Sequence, residues 1–381
     1  MRKVLWGSLA AAAVTCALVP TAIAAPPSTA EVVAVFGDLP YGTSPGDTAQ
    51  FLKTSAYVGS INADPDVHAV LDVGDIHSGK QFCTEAYDRS IFDKFAAFED
   101  PFVYTPGDNE WTDCHKPAEG GGTYNATTGA IDLVKDADGN PVDYAGGNPV
   151  ANLALIRSIF FPQAGFTLGQ HPQPVLSQAQ FAANDRAHPG DAKYVENVIY
   201  SRGKTLVVAI DLPGGSNNDT DVWYGAPTQS PEQAAEIAER TAADLRWLDL
   251  AFSMAHAGRY GSVVIAAQAD MWDPEKGAAH QTQYEPFVAS VASHTLDLGK
   301  PVLMLNGDSH VYQAGNPLSP DGPNANMHPG YDVPNFERIV VHGSTTPLEW
   351  LKLTIDPAAQ APRSDTAFGP FSWERVIPTL S

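Results

Sequence analysis

Short apolar runs that stop abruptly at glycine or at a polar turn set the rhythm of this chain. Residues 32–36, 67–73, 102–105, 263–267 and 301–305 are such runs. Continuous apolar character over so few residues predicts strands buried within a sheet. Residues 198–201 and 205–211 predict a hairpin closing at Gly203-Lys204, and 337–341 and 348–355 predict strands that finish the second half. Segments 47–62, 84–98, 153–160 and 284–298 have the composition of helices. The clearest helix is 231–256. Ser230 is placed to cap it, Pro231 takes the first helical position, and Ala, Leu and Trp247 recur at helical spacing. Strand-helix alternation in the first half argues for a layered α/β sheet.

The pattern dissolves between residues 113 and 149 into GGGT, ATTG, DADGN and AGGNP, and 163–191 is again irregular. This predicts a loop-rich insertion over about 113–195 with a small hairpin inside it, in one domain spanning 25–381. A long structured loop beside a site usually shapes its opening. Asp136 and Asn140 do not open a calcium loop, because the glutamate such a loop requires is missing. No internal repeat or low-complexity tract interrupts the chain.

Four of the strands run into glycine followed by an acidic residue: Gly37-Asp38, Gly74-Asp75, Gly107-Asp108-Asn109-Glu110 and Gly307-Asp308-Ser309-His310. One Gly-Asp pair is an ordinary turn. Four of them on strand ends point to a metal site assembled from several loops, since ligands of open α/β sheets sit beyond the carboxyl ends of strands.

In these residues the chain resembles the calcineurin-like metallophosphoesterases, which include the purple acid phosphatases. That family runs Asp-x-His, Gly-Asp, Gly-Asn-His/Asp, a lone His, then Gly-His-x-His, and the order holds here from Asp38 to His310. The resemblance implies a four-layer α-β-β-α sandwich, with two mixed sheets packed face to face and helices outside. It also implies two divalent ions and hydrolysis of a phosphoester by metal-activated water. Asp75 takes the bridging position, and Asp38 and His310 bind the first ion. Pro40 stands where the family has its first histidine, and Tyr41, one place on, is either a ligand or a wall residue. Asn109, Asp308 and Gln268 take the second ion with Asp75. Gln268 and Asp308 stand where the family has histidines. An oxygen-rich set suits Mg²⁺, Mn²⁺ or Ca²⁺ better than zinc, and iron also belongs among the candidates. The same departures also fit a mononuclear or inactive centre.

Among other residues, His77 is the acid–base candidate, with an exposed loop histidine as the alternative. Lys80 on the same loop can counter phosphate charge. Asp108 reads as orienting its loop, and Asp270 lies two residues beyond Gln268. His256, His280, His294 and His342 match no motif, although His342 follows a strand.

Composition adds the setting. Residues 1–24 carry Arg2, Lys3, an apolar stretch and Ala22-Ile23-Ala24 before Ala25-Pro26, the pattern of a cleaved secretory signal. The chain has 22 Lys and Arg against 44 Asp and Glu, a net charge of −22. Such a surface repels nucleic acid and anionic membranes. The partner the resemblance implies is a small-molecule or polymer phosphoester, met outside the cytoplasm, with no nucleic-acid-binding signal and no membrane anchor after cleavage. Cys16 leaves with the signal. Cys83 and Cys114 remain, and in an exported chain an even pair reads as one disulfide, with a thiol metal site as the alternative. A scaffold turned to a non-phosphate substrate, or a non-catalytic metal-binding protein, are the competing functions. No nucleophile elbow and no phosphate-cradling glycine loop occurs.

Overall fold

The computed structural model describes residues 30–218 and 220–380. The expected signal sequence and Cys16 lie outside the described residues. In chain order the first strands are β1 (Glu31–Phe36), β2 (Val67–Asp72), β3 (Phe102–Tyr104), β4 (Gly122–Tyr124), β5 (Ile131–Leu133), β6 (Leu176–Ser177), β7 (Val198–Arg202) and β8 (Thr205–Ala209). They are followed by β9 (Ser262–Ala266), β10 (Val302–Asn306), β11 (Gln313–Gly315), β12 (Phe336–Val340), β13 (Trp350–Ile355), β14 (Ala361–Ser364), β15 (Ala367–Gly369) and β16 (Phe371–Val376).

Two seven-stranded sheets form, ordered β14-β15-β16-β13-β1-β2-β3 and β11-β12-β10-β9-β8-β7-β6. β1, β2 and β3 run parallel in the first, and β8, β9, β10 and β12 in the second. Antiparallel strands flank both parallel groups. The expected small hairpin is β4–β5, a separate two-stranded sheet.

Side-chain alternation explains the layering. Val33 and Val35 of β1, Val207 and Ala209 of β8, Val264 and Ala266 of β9, and Leu303 and Leu305 of β10 share one buried cluster between the sheets. Their neighbours one residue away point outward. Val32, Ala34 and Phe36 meet Tyr57 and Ile61 of helix Ala49–Asn62, Phe95 of helix Glu85–Phe95 and Ile156 of helix Pro149–Phe160. Leu206, Val208, Val263 and Met304 meet Trp247 of helix Pro231–Gly258 and Val288 of helix Glu285–Leu298. Strands covered on both faces must be apolar at every position, which is why the runs are continuous rather than alternating. The result is the four-layer α-β-β-α arrangement. Capping is local: Ser230 Oγ accepts from Gln233 N–H at 3.0 Å, and Thr84 Oγ1 from Tyr87 N–H at 3.2 Å.

One expectation needs correction. The strand at 348–355 does not complete the second half. As β13 it pairs antiparallel with β1, Glu31 opposite Ile355, and leads the β14–β16 meander onto the edge of the first sheet. Period alone gives a strand but not its neighbour, and the meander's short, half-exposed strands carry little periodic signal.

The inter-sheet layer is expected to dominate stability. Leu303→Ala, at a fully buried position, should lower the unfolding free energy by about 2–5 kcal/mol in denaturant titration. Leu52→Ala, at a position 72% exposed, should change it by less than about 0.5 kcal/mol. Equal effects from the two would refute this layering.

Candidate metal centre

The parallel strands of both sheets end at one seam, and the loops beyond them meet there. Asp38 follows β1, Asp75 follows β2, Asp108 and Asn109 follow β3, Gln268 follows β9, and Asp308 and His310 follow β10. Backbone hydrogen bonds stitch these loops together: Asp38 N–H to Gly74 O at 2.8 Å, Leu39 N–H to Asp75 O at 3.0 Å, and Gly307 N–H to Gln268 O at 3.1 Å. Asp38, Asp75, Asp308 and His310 all adopt left-handed backbone, with φ of 52°, 64°, 71° and 64°. Such conformations cost roughly 1–3 kcal/mol each and cluster where surrounding structure fixes a functional geometry. The glycines of the Gly-Asp pairs leave room for a neighbouring loop's carboxylate. A Cβ on Gly307 would lie 2.5 Å from Asp38 Oδ2, and one on Gly107 would lie 2.0 Å from Asp75 Oδ1.

Asp75 is the hub. Its Oδ2 accepts from Tyr41 Oη–H at 2.6 Å, Asn109 Nδ2 at 3.0 Å and Gln268 Nε2 at 3.2 Å, and Oδ1 accepts from Asn109 N–H at 3.2 Å. Tyr41 also reaches Asp38 Oδ1 at 3.3 Å, so its hydroxyl lies between the two carboxylates. His310 Nε2 is 3.4 Å from Asp38 Oδ1, and its ring meets Tyr41 edge-on. Donor atoms of Asp38, Asp75 and His310 fall within 4.8 Å of one another.

Burial pushes the Asp38 carboxyl up to about 8, with Asp108 and Glu110 adding repulsion. Burial does the same to Asp108, to about 7, and holds Asp75 and Asp308 well above the usual carboxylate range. Among the described residues, no lysine or arginine pairs with Asp38, Asp75, Asp108 or Asp308; the one basic side chain within ion-pair distance is His310. Burial lowers that imidazole to about 4, leaving it neutral with a lone pair to offer.

These observations fit bound cations. Asp38 Oδ2 is buried with no hydrogen-bond partner. Gly214 leaves a gap between two further carboxylates, since a Cβ there would lie 2.4 Å from Asp108 Oδ2 and 3.0 Å from Asp308 Oδ1. A second cluster of possible ligands, Asp113, His115 and Asp221, already holds a cation of its own. Lys116 Nζ sits 2.6 Å from both Asp113 Oδ2 and Asp221 Oδ2.

Three readings of the sequence change. His77 is fully buried, with Nδ1 3.1 Å from Ser78 O, Nε2 3.7 Å from Cys83 Sγ and its ring against Tyr87. It lies beneath the site and does not line the cavity, so it is neither a surface histidine nor placed for acid–base work. Gln268 offers no oxygen to an ion, because its Oε1 accepts from Gly214 N–H at 2.5 Å and its Nε2 faces Asp75 and Asp108. Asp108 does more than orient a loop. It faces Gln268 Nε2 at 3.1 Å, lines the cavity and supplies a carboxylate where Gln268 supplies none. Its Gly-Asp motif was the visible signal.

Glu110 was visible only as a departure from the family pattern. Its Oε1 accepts from Tyr104 Oη–H at 2.5 Å, Gly107 N–H at 2.7 Å and Asp75 N–H at 3.2 Å, fastening the Asp75 and Asn109 loops together. The Cys83–Cys114 disulfide braces the same two loops. Asp270 is engaged elsewhere, by Arg338 and by Ser309 Oγ–H at 2.7 Å. The site opens into a cavity of about 790 Å³ lined in part by Tyr41, Lys80, Asp108, Asn109, Lys276 and His310. His342 bonds Thr345, a residue of the cavity wall, at 3.4 Å.

No protein-family model matches the chain, and no curated protein matches it in sequence. Solved structures do. A purple acid phosphatase from yellow lupin (Lupinus luteus) seeds is 13% identical over 92% of this chain, with a TM-score of 0.43. The chain spans about half of that enzyme, 52% of its length. A dimetal phosphatase from Danio rerio is 10% identical over 87% of this chain and 95% of its own, with a TM-score of 0.45.

The carboxylate cluster makes stability depend on pH in a defined direction. Asp38 and Asp108 bind protons more tightly folded than unfolded, where the ordinary value is 3.8. Their stabilising contribution is complete below pH 4 and is lost as pH rises through about 7 to 8. Metal-stripped protein should therefore melt progressively lower between pH 4 and 8. Adding Mn²⁺ or Mg²⁺ should restore the melting temperature most at the upper end. A metal-stripped protein whose stability rises steadily over that range would contradict this account of the cluster.

Proposed function

We propose that the chain is an exported, metal-dependent phosphohydrolase that cleaves a phosphomonoester or phosphodiester with activated water. The observation that carries this reading is the group of four aspartates, three of them buried, with no lysine or arginine paired to them among the described residues, beside a 790 Å³ cavity. Asp38, Tyr41 and His310 would hold one ion, Asp108, Asn109 and Asp308 the other, with Asp75 between them. Divalent ions bound there neutralise phosphoryl oxygens and lower the pKa of water.

The chain's own residues account for the remaining work. Lys80 and Lys276, on the cavity lining, bring positive charge to an anionic group entering an acidic protein. Ser78, Ser309 and Thr345 also line this space, the hydroxyls of Ser78 and Ser309 donating to Gly42 O and Asp270 Oδ2. Glu110 and the disulfide keep the Asp75 and Asn109 loops in register. Asp47, Asp113, Asp273 and Glu275 also line the cavity, which disfavours polyanions. A small phosphoester with a neutral or cationic tail suits that lining best.

A second reading, a single ion bound by Asp38, Asp75 and His310, draws on the amide geometry. Asn109 Nδ2 and Gln268 Nε2 both point at Asp75 Oδ2, where a second ion would otherwise share the bridge.

Metal content and hydrolysis decide between them. Mature protein is stripped, reloaded with Mn²⁺, Mg²⁺, Zn²⁺, iron or Ca²⁺, and assayed on p-nitrophenyl phosphate and bis(p-nitrophenyl) phosphate. The expected result is two ions per chain and hydrolysis. Asp75→Asn should cost at least about 100-fold in rate along with metal retention. One ion per chain with activity supports the mononuclear reading. No hydrolysis with any ion, or equal rates for wild type and Asp75→Asn, refutes the enzyme.

A further inference from the structure

The second sheet carries another cavity at the end opposite the metal centre. It lies beside the start of β8 and the end of β7, past the point where the two-residue strand β6 stops covering β7. Leu176 and Ser177 pair with Ile199 and Val198, so the outer edge of β7 is open from Tyr200 to Arg202. Residues 173–176, the turn at Tyr260 and Met254 of helix Pro231–Gly258 close the space. Its volume is about 450 Å³, within the roughly 300–1,000 Å³ of small-molecule sites.

One residue distinguishes this cavity from a packing defect. Arg202 is 8% exposed and its Nε has no hydrogen-bond partner. Among the described residues no carboxylate pairs with it, and Asp100 feels its charge from beyond ion-pair range. The more deeply buried Arg240 and Arg338 are paired, with Glu236 and Asp270. A buried guanidinium Nε–H without an acceptor is unfavourable, and it stands out in a chain with twice as many acidic as basic residues. Arg202 is also the only charged residue on the lining. Thr167, Gln173 and Ser201 add neutral polar groups, and the rest is mainly apolar or aromatic, with Leu176, Ile199, Leu206 and Met254 alongside Tyr200 and Tyr260. The guanidinium carbon lies over the Tyr200 ring, 5.7 Å from its centroid, within cation–π range.

We propose that this cavity binds an amphipathic monocarboxylate, its carboxylate held by the Arg202 guanidinium and its apolar body between Tyr200, Tyr260 and Met254. A guanidinium presents two parallel N–H groups that match a carboxylate. A single positive charge balances one negative charge and leaves a phosphate dianion half compensated. The site is separate from the metal centre and does not rest on the hydrolase reading.

The test is calorimetric titration of the mature protein with octanoate and 4-phenylbutyrate at low ionic strength. Saturable binding with Kd below about 1 mM is expected. The neutral analogue 4-phenylbutanol should bind at least tenfold more weakly. Arg202→Gln should weaken the carboxylates at least tenfold. Met254→Trp, which leaves the arginine and fills the cavity, should do the same, so the proposal stays testable if the first variant folds poorly. Asp75→Asn should bind as the wild type does. No saturation up to about 10 mM, wild-type affinity in both cavity variants, or loss of binding in Asp75→Asn would each overturn the assignment.

Discussion

Four aspartates meet at one seam, Asp38, Asp75 and Asp108 buried and Asp308 partly so, and among the described residues no lysine or arginine pairs with them. Keeping Asp38 alone ionised there, against an ordinary value of 3.8, costs on the order of 5 kcal/mol. Coulomb repulsion from Asp108 and Glu110 adds to the burial penalty for Asp38 and Asp75. A fold that holds such a cluster without a cation must protonate it, and one that holds it with cations gains a strong electrophilic centre. The rest of the molecule can be understood as the framework that keeps these side chains together despite their repulsion.

That framework has two levels. The sheets supply the coarse one: parallel strands from both sheets deliver their carboxyl ends to the same seam, so the loops after β1, β2, β3, β9 and β10 meet there. The fine level is made of short polar links. Glu110 joins the backbone of Asp75 to Gly107, Tyr41 spans Asp38 and Asp75, and the Cys83–Cys114 bridge ties the loops behind them. His77 fills the space under the disulfide. A histidine two residues beyond Asp75 is thereby structural, because the chain turns between Asp75 and His77 and sends the second side chain into the interior.

The two cavities differ in a way that matches the charge of the chain. Around the metal centre, aspartates dominate and cations must be imported. Beneath the open edge of β7 the only charge is positive, in a protein whose sum is −22. Both places leave a buried polar atom without a protein partner, Asp38 Oδ2 in one and Arg202 Nε in the other. Buried polar groups are normally satisfied, and these two exceptions lie at the two places where an ion or a ligand is proposed.

By itself the sequence determined the strands of the parallel core, the long capped helix after Ser230, the disulfide pair and the four Gly-Asp turns. Each of these is encoded locally, by apolar runs of strand length, by a cap and a proline, or by glycines that must sit beside an acidic residue. Tertiary structure alone decided which residues face the site. Gln268 turns its oxygen to Gly214, Asp108 turns its carboxylate inward, and His77 turns away, and none of these orientations follows from position in a motif. It also decided that β13 belongs beside β1, since pairing across 300 residues depends on which hydrophobic faces must be covered rather than on local period. Arg202 went unnoticed in the sequence for the same reason: an arginine at a hairpin is ordinary until the fold buries it with no carboxylate in reach.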